Sequence, residues 1–150
     1  MKNRIVKYGI LLVGLCLLAG ISVAVYMFNK PKRNIAKTKA EYSLLATQLL
    51  TEFTQNEQAA NAKYLSAAYG KVIQVTGIID EIDQKGDTAC NLSLKEPAMH
   101  SGSINCSIEK TEIPNVKSLK VGDKIAVKGE CTGYLDITNE VSMVNCLVEK

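Results

Sequence analysis

The sequence predicts a mainly β fold, a small five-stranded closed barrel set behind a helical arm and an N-terminal transmembrane helix. Three observations carry this. A charge-free apolar run from Tyr8 to Phe28 is never repeated in the mixed sequence that follows it. The apolar spacing is helical between residues 38 and 65 and becomes alternating after Gly70. Beyond Gly70 the alternation falls into five runs separated by turn residues.

Residues 1–7 form a basic tail, with Lys2, Arg4 and Lys7, and residues 8–28 the transmembrane anchor. At a rise of about 1.5 Å per residue, a helix of this length matches the thickness of a bilayer core. The basic start and Ser22-Val23-Ala24 also suit a cleaved signal peptide, although the run continues to Phe28, past a typical signal core. Acylation at Cys16 is a third reading, weakened by Leu15 where a small residue normally precedes the lipid-bearing cysteine. Residues 29–37 are a basic stalk. Basic residues on both flanks leave orientation open: the positive-inside count points the domain to the cytoplasm, and the signal-like start points it outward.

Residues 38–65 are expected to form a helical arm. Leu45, Leu49 and Phe53 fall four apart, with Tyr42, Ala46 and Leu50 on the adjoining stripe. Asn56 is placed to cap a second short helix that carries Ala59, Ala60, Ala62 and Tyr64. Such stripes are packing surfaces, for the domain or for a second copy of the arm.

The barrel is expected over residues 70–149. Its first strand, KVIQVTGIIDEID, is long and meets Gly77, where a strand can bend or bulge. QKGD makes a turn, after which TACNLSL aligns Cys90, Leu92 and Leu94 on one face. SINCSIE aligns Ile104, Cys106 and Ile108, an irregular or helical link follows, and Ile125, Val127, Gly129 and Cys131 share a side of the fourth strand. The last strand is approximately VSMVNCLVEK. A long bent first strand and a link between the third and fourth describe a Greek-key barrel of the oligonucleotide/oligosaccharide-binding (OB) kind.

The succession EQAANAKY, GKVIQVTGIIDEID, SINCSIE, LKVGDKIAVKGECTGY and the terminal VNC resembles the bacterial tRNA_anti-like family over about residues 40 to 148. The LKVGDKIAVKGECTGY block is the most specific part, and SAAY at Ser66 to Tyr69 departs from the pattern by lengthening the join to the first strand. The resemblance implies an OB-fold envelope protein. It implies no particular activity.

Of five cysteines, Cys90, Cys106, Cys131 and Cys146 lie in the barrel. A hairpin centred near Ala98 would oppose Cys90 to Cys106, and one centred near Thr138 and Asn139 would oppose Cys131 to Cys146, at separations a disulfide can span. Four buried thiols are the alternative. A zinc site lacks a CxxC knuckle, and the one histidine, His100, lies in a loop. Bridges would place the barrel outside the cytoplasm.

No catalytic constellation is present. MHSGS sets His100 beside serines, but neighbours in sequence do not make a triad. Asp80, Glu81, Asp83 and Asp87 cluster at the first turn with a spacing unlike an EF-hand loop. No phosphate-cradling glycine motif occurs, and no cofactor or metal is expected.

Single-strand binders stack bases on aromatics in a basic groove. Here Tyr134 is the only aromatic residue after Gly70, and that half carries nine lysines against twelve acids. The expectation is a non-enzymatic, membrane-anchored, extracytoplasmic module that binds a protein partner or small envelope ligand through Asn91, Ser93, Asn105 and Tyr134. A cytoplasm-facing binder of tRNA or single-stranded RNA is the alternative, and a helper acting through its helical arm is a third.

Overall fold

The structure is a computed structural model that describes residues 20–23, 33–65, 70–86 and 88–149. It divides into two compact units, Met1–Arg33 and Asn34–Lys150. In the first, residues 20–23 are helical and exposed. The rest of the expected anchor lies outside the described residues, as do residues 29–32 of the stalk and the SAAY join. Among the described residues no helix is long and apolar enough to cross a membrane.

In the second unit, strand β1 (Tyr42–Leu45) precedes helices α1 (Ala46–Gln55) and α2 (Glu57–Tyr64). Strands β2 (Val72–Lys85), β3 (Ala89–Lys95) and β4 (Ser103–Ile108) follow. A 3-10 turn at Lys110–Glu112 runs into the short helix α3 (Ile113–Val116), and β5 (Lys124–Leu135) and β6 (Glu140–Glu149) complete the chain. The sheet order is β1-β2-β3-β4-β6-β5, and β5 returns to pair with β2, so five strands close a barrel. Within that barrel only β4 and β6 run parallel. The link through α3 lets the chain cross before β5. This is OB architecture.

Alternation builds the wall. Cys90, Leu92 and Leu94 on β3, Ile104, Cys106 and Ile108 on β4, and Ile125, Val127 and Cys131 on β5 all turn into one core. The long strand β2 serves two neighbours, pairing β5 along Val72 to Ile78 and β3 along Ile78 to Lys85. Its bulge falls between Ile79 and Glu81, beyond Gly77. Gly77 answers a different demand: a Cβ there would lie 3.1 Å from Leu94 Cβ and 3.2 Å from Ala46 Cβ, so its small size lets α1 approach the strand.

The arm departs from a continuous helical stripe. Residues 42–45 add a strand, β1, parallel to β2 with Tyr42 opposite Ile73. The Ser43 hydroxyl donates to Gln74 Oε1 at 2.7 Å, and Glu41 N–H donates to Val72 O at 2.8 Å. An exposed edge of β2 offers backbone groups that four residues satisfy more readily as strand than as helix. Leu45, expected on the apolar stripe, is therefore exposed, while Ala46, Leu49, Leu50 and Phe53 are buried. Helix α1 opens without a hydroxyl cap, the Gln48 side chain accepting from Leu45 N–H at 3.0 Å. Asn56 caps α2 as expected, its Oδ1 accepting from Ala59 N–H at 3.0 Å.

The four barrel cysteines are free thiols, all buried. Neither expected hairpin pair faces across its ladder. Cys106 stands opposite Leu92, not Cys90, and Cys131 stands opposite Met143, not Cys146. The first register is offset by two because the β3–β4 loop is centred one residue beyond Ala98. In the second, the β5–β6 turn is centred one residue earlier than expected, with Tyr134 opposite Val141, and the bulge between Cys131 and Gly133 shifts the pairing by one more. Burial pushes the Cys131 thiol up to about 11 and also raises Cys90.

At Gly129 a Cβ would lie 2.5 Å from Cys146 Sγ and 3.0 Å from Val144 O, inside any tolerable contact. Gly129→Ala is expected to cost about 1–3 kcal/mol of unfolding free energy, measured by urea titration. Cys131 also gives stability a pH dependence. Above pH 9 its thiol ionises in the unfolded chain while the folded chain holds the proton to about 11. Folding then loses stability as pH rises, by about 2 kcal/mol from this group at pH 10.5. Urea midpoints taken between pH 7 and 10.5 should fall less steeply in Cys131→Ala than in the unaltered chain.

Candidate polar groove on the barrel wall

The residues that alternate outward on β2, β3 and β4 are polar, because the same strands spend their other face on the core. The register sets Asp83 beside Asn91, Glu81 beside Ser93, and Ser93 beside Asn105. Across the parallel contact, Glu140 of β6 stands opposite Ser103. Together Glu81, Asp83, Asn91, Ser93, Asn105 and Glu140 line a groove of about 150 Å³. Three of the four expected binding residues, Asn91, Ser93 and Asn105, thus converge on one surface.

Carboxylates frame that surface. Ser103 Oγ donates to Glu140 Oε1 at 3.3 Å, which holds the glutamate at the rim, and Asp83 makes a loose ion pair with exposed Lys85 at 3.7 Å. Asp80, one residue from Glu81, pairs with Lys95 at 2.8 Å and is turned to another side of the bulge. The groove offers amide and hydroxyl groups ringed by Glu81, Asp83 and Glu140. A phosphate approaching it meets repulsion of about 0.5 kcal/mol per carboxylate at 8 Å in water, and a cation gains as much. Alternation in the sequence shows which strand residues point outward; it does not show that Glu140 comes round to join them.

Tyr134 lies elsewhere. Its ring stacks on Phe53 of α1 with centroids 6.0 Å apart, and its hydroxyl donates to Asn139 Oδ1 at 2.8 Å. Asn139 Nδ2 donates in turn to Ser101 Oγ at 2.9 Å, tying the β5–β6 loop to the β3–β4 loop. The ring and hydroxyl are therefore both engaged within the protein. With Phe53, Thr54, Glu57, Asp136 and Asn139 it lines a separate depression, where burial and the charges of Asp136 and Glu57 raise the tyrosine pKa.

A charge cluster also lies within the arm. Lys63 Nζ lies 2.7 Å from Glu52 Oε2, and the Tyr64 hydroxyl donates to the same oxygen at 2.8 Å. The hydrogen bond to Lys63 lowers the Glu52 pKa, and its counterpart raises that of Lys63. This clamp fastens α1 to α2. Asp87 of the expected acid turn lies outside the described residues, and among the described residues no group of three His, Cys, Asp or Glu is arranged to hold a metal. His100 is exposed in the β3–β4 loop.

None of the curated proteins compared with the chain matches it. Among solved structures, a "putative nucleic acid-binding lipoprotein" from Klebsiella pneumoniae superposes with a TM-score of 0.58 at 19% identity, covering 71% of this chain and 91% of that one. Asparaginyl-tRNA synthetase from Entamoeba histolytica superposes with a TM-score of 0.42 at 19% identity, over 57% of this chain and 22% of the synthetase. At these identities the first likeness shows the OB fold alone. The sequence profile of the tRNA_anti-like family matches residues 1–147. The chain belongs to the tRNA_anti-like family.

Proposed function

We propose that the chain is a non-enzymatic, membrane-anchored OB module on the extracytoplasmic side, binding a basic segment of a protein partner or a cationic group of an envelope ligand. The observation that carries this reading is the groove in which Glu81, Asp83 and Glu140 surround Asn91, Ser93 and Asn105. The carboxylates supply attraction for positive charge, and the amides and hydroxyl supply directional hydrogen bonds. Tyr134, with Glu57 and Asp136 beside it, extends the same sign of charge to a second depression. Anchoring is supported by the charge-free run from Tyr8 to Phe28 between basic flanks.

A nucleic-acid groove would be built the other way, with cations along the backbone track and free aromatic faces. Only Tyr134 is aromatic after Gly70, and its ring is stacked on Phe53. The name of the Klebsiella lipoprotein belongs to that protein.

Fluorescence anisotropy on the full chain in detergent micelles, with a labelled lysine-rich peptide and a labelled single-stranded RNA, tests the reading. The peptide is expected to bind, several-fold more weakly at 200 mM than at 50 mM salt. The combined change Glu81→Gln, Asp83→Asn and Glu140→Gln should weaken it about tenfold, and neutralising Glu109, Glu112 and Asp123 should not. RNA bound more tightly than peptide by the unaltered chain would replace this reading with a nucleic-acid one. Protection of the barrel from protease added to spheroplasts, whose cytoplasmic membrane is intact and whose outer layers are removed, would overturn the proposed orientation.

A further inference from the structure

Every strand of the barrel has a neighbour on both sides, whereas β1, among the described residues, is held on one side by β2 and on the other by no strand. A strand sends alternate backbone N–H and C=O groups to its two edges, so the outer edge of β1 presents groups that a further strand could pair. No backbone bond to Tyr42, Ser43 or Leu44 from outside the β1–β2 pair occurs among the described residues. That edge opens into a groove of about 460 Å³. Successive side chains of a strand point to opposite faces, so a cavity lying over one face would touch either Ser43 or the pair Tyr42 and Leu44. All three line this groove, which therefore runs along the edge itself.

The groove continues onto α1 through Thr47, Gln48 and Thr51, which lie on the side of the helix away from the buried Leu49, Leu50 and Phe53. Gln48 Oε1 is taken by Leu45 N–H, and its amide Nε2 and the Thr51 hydroxyl make no hydrogen bond among the described residues. The charges at the α2 end answer one another. Lys63 Nζ lies 2.7 Å from Glu52 Oε2 and 5.4 Å from the centre of the Tyr42 ring, which packs edge-on against Tyr64. Residues 42–51 contain no charged residue, proline or glycine. Exposed strand edges are ordinarily guarded by a lysine, a proline or a bulge, and this one has none of them.

We propose that β1 is a strand-addition site, at which an extended, uncharged segment of a partner protein pairs with Tyr42–Leu44 and lies against α1. Backbone hydrogen bonds supply the affinity, and every second side chain of the segment packs beside Tyr42 and Leu44. The occupant is uncharged because the groove's own charges are already paired, and it is extended because the groove follows a strand edge. A second copy of the chain fits less well: it brings its own α1 beside its own β1, and each helix would fill the angle the other copy's strand needs. The site is distinct in place and in charge from the acidic groove of Glu81, Asp83 and Glu140, and the proposal does not rest on that groove.

The test selects binders of the full chain in detergent micelles from a phage library of random peptides, then measures a resynthesised, labelled peptide by fluorescence anisotropy. The selected sequences should be uncharged and alternate apolar with polar residues, and their binding should change little between low and high salt. Strand addition uses every second amide of the peptide, so N-methylation in one phase should weaken binding at least about tenfold and in the other phase leave it unchanged. Thr51→Arg and Thr51→Glu, at an exposed position lining the groove, should each abolish binding at an unaltered urea midpoint; Thr54→Arg, exposed on the same helix outside the groove, should not. Failure to select any binder, binding insensitive to methylation in both phases, or binding that survives both changes at Thr51 overturns the proposal. A dimer of the unaltered chain that is lost in Thr51→Arg would give the edge to a second copy and overturn it as well. The combined change at Glu81, Asp83 and Glu140 should leave this binding intact, so the two sites stand or fall separately.

Discussion

Closure of the barrel through β5 is the constraint on which the other features depend. This strand pairs with β2 on one side and β6 on the other, and the parallel contact between β4 and β6 completes the ring. Closure removes the open edges that a five-stranded sheet would otherwise expose. It also demands sharp local curvature, which the bulges in β2, β5 and β6 provide. Gly129 and Asn145 belong to that curvature: one gives up its side chain, the other takes a left-handed backbone, and Cys146 fits between them.

The wall positions were legible in the sequence because a strand with one face in the core must alternate. Cys90, Leu92, Leu94, Ile104, Cys106 and Ile108 are all buried on that account. Register was not legible to the residue. A turn centred one residue away moves facing pairs by two positions, and a bulge adds one more without leaving a mark in the alternation, so the pairings centred on Ala98 and on Thr138 to Asn139 missed. The strand at Tyr42–Leu45 was hidden for another reason. Its residues continue an apolar helical stripe, and only the unfilled edge of β2, formed by residues some thirty positions away, selects the extended form.

The same logic separates the parts of the candidate site. Asn91, Ser93 and Asn105 could be placed together because they occupy the outward phase of adjacent strands. Glu140 joins them through the parallel β4–β6 pairing, a long-range contact with no local signature. Tyr134 sits at a loop rim, as its sequence position suggests, yet its stacking on Phe53 and its hydrogen bond to Asn139 make it a joint between arm and barrel. What remains outward is acidic and hydrogen-bonding. Family membership and fold leave function open, and the charge on this wall is what separates a partner for cations from a partner for phosphates.

Native-state hydrogen exchange measured residue by residue tests most directly whether closure through β5 holds the fold together. The account predicts that amides paired across β2–β5, such as those of Val75 and Val127, and across β4–β6, such as those of Cys106 and Met143, open together with the free energy of global unfolding. Helix α2, outside the ring, should open more easily. Exchange of β5 and β6 at a distinctly lower free energy than β2, β3 and β4 would show that the three-stranded part stands without closure, and would contradict the account.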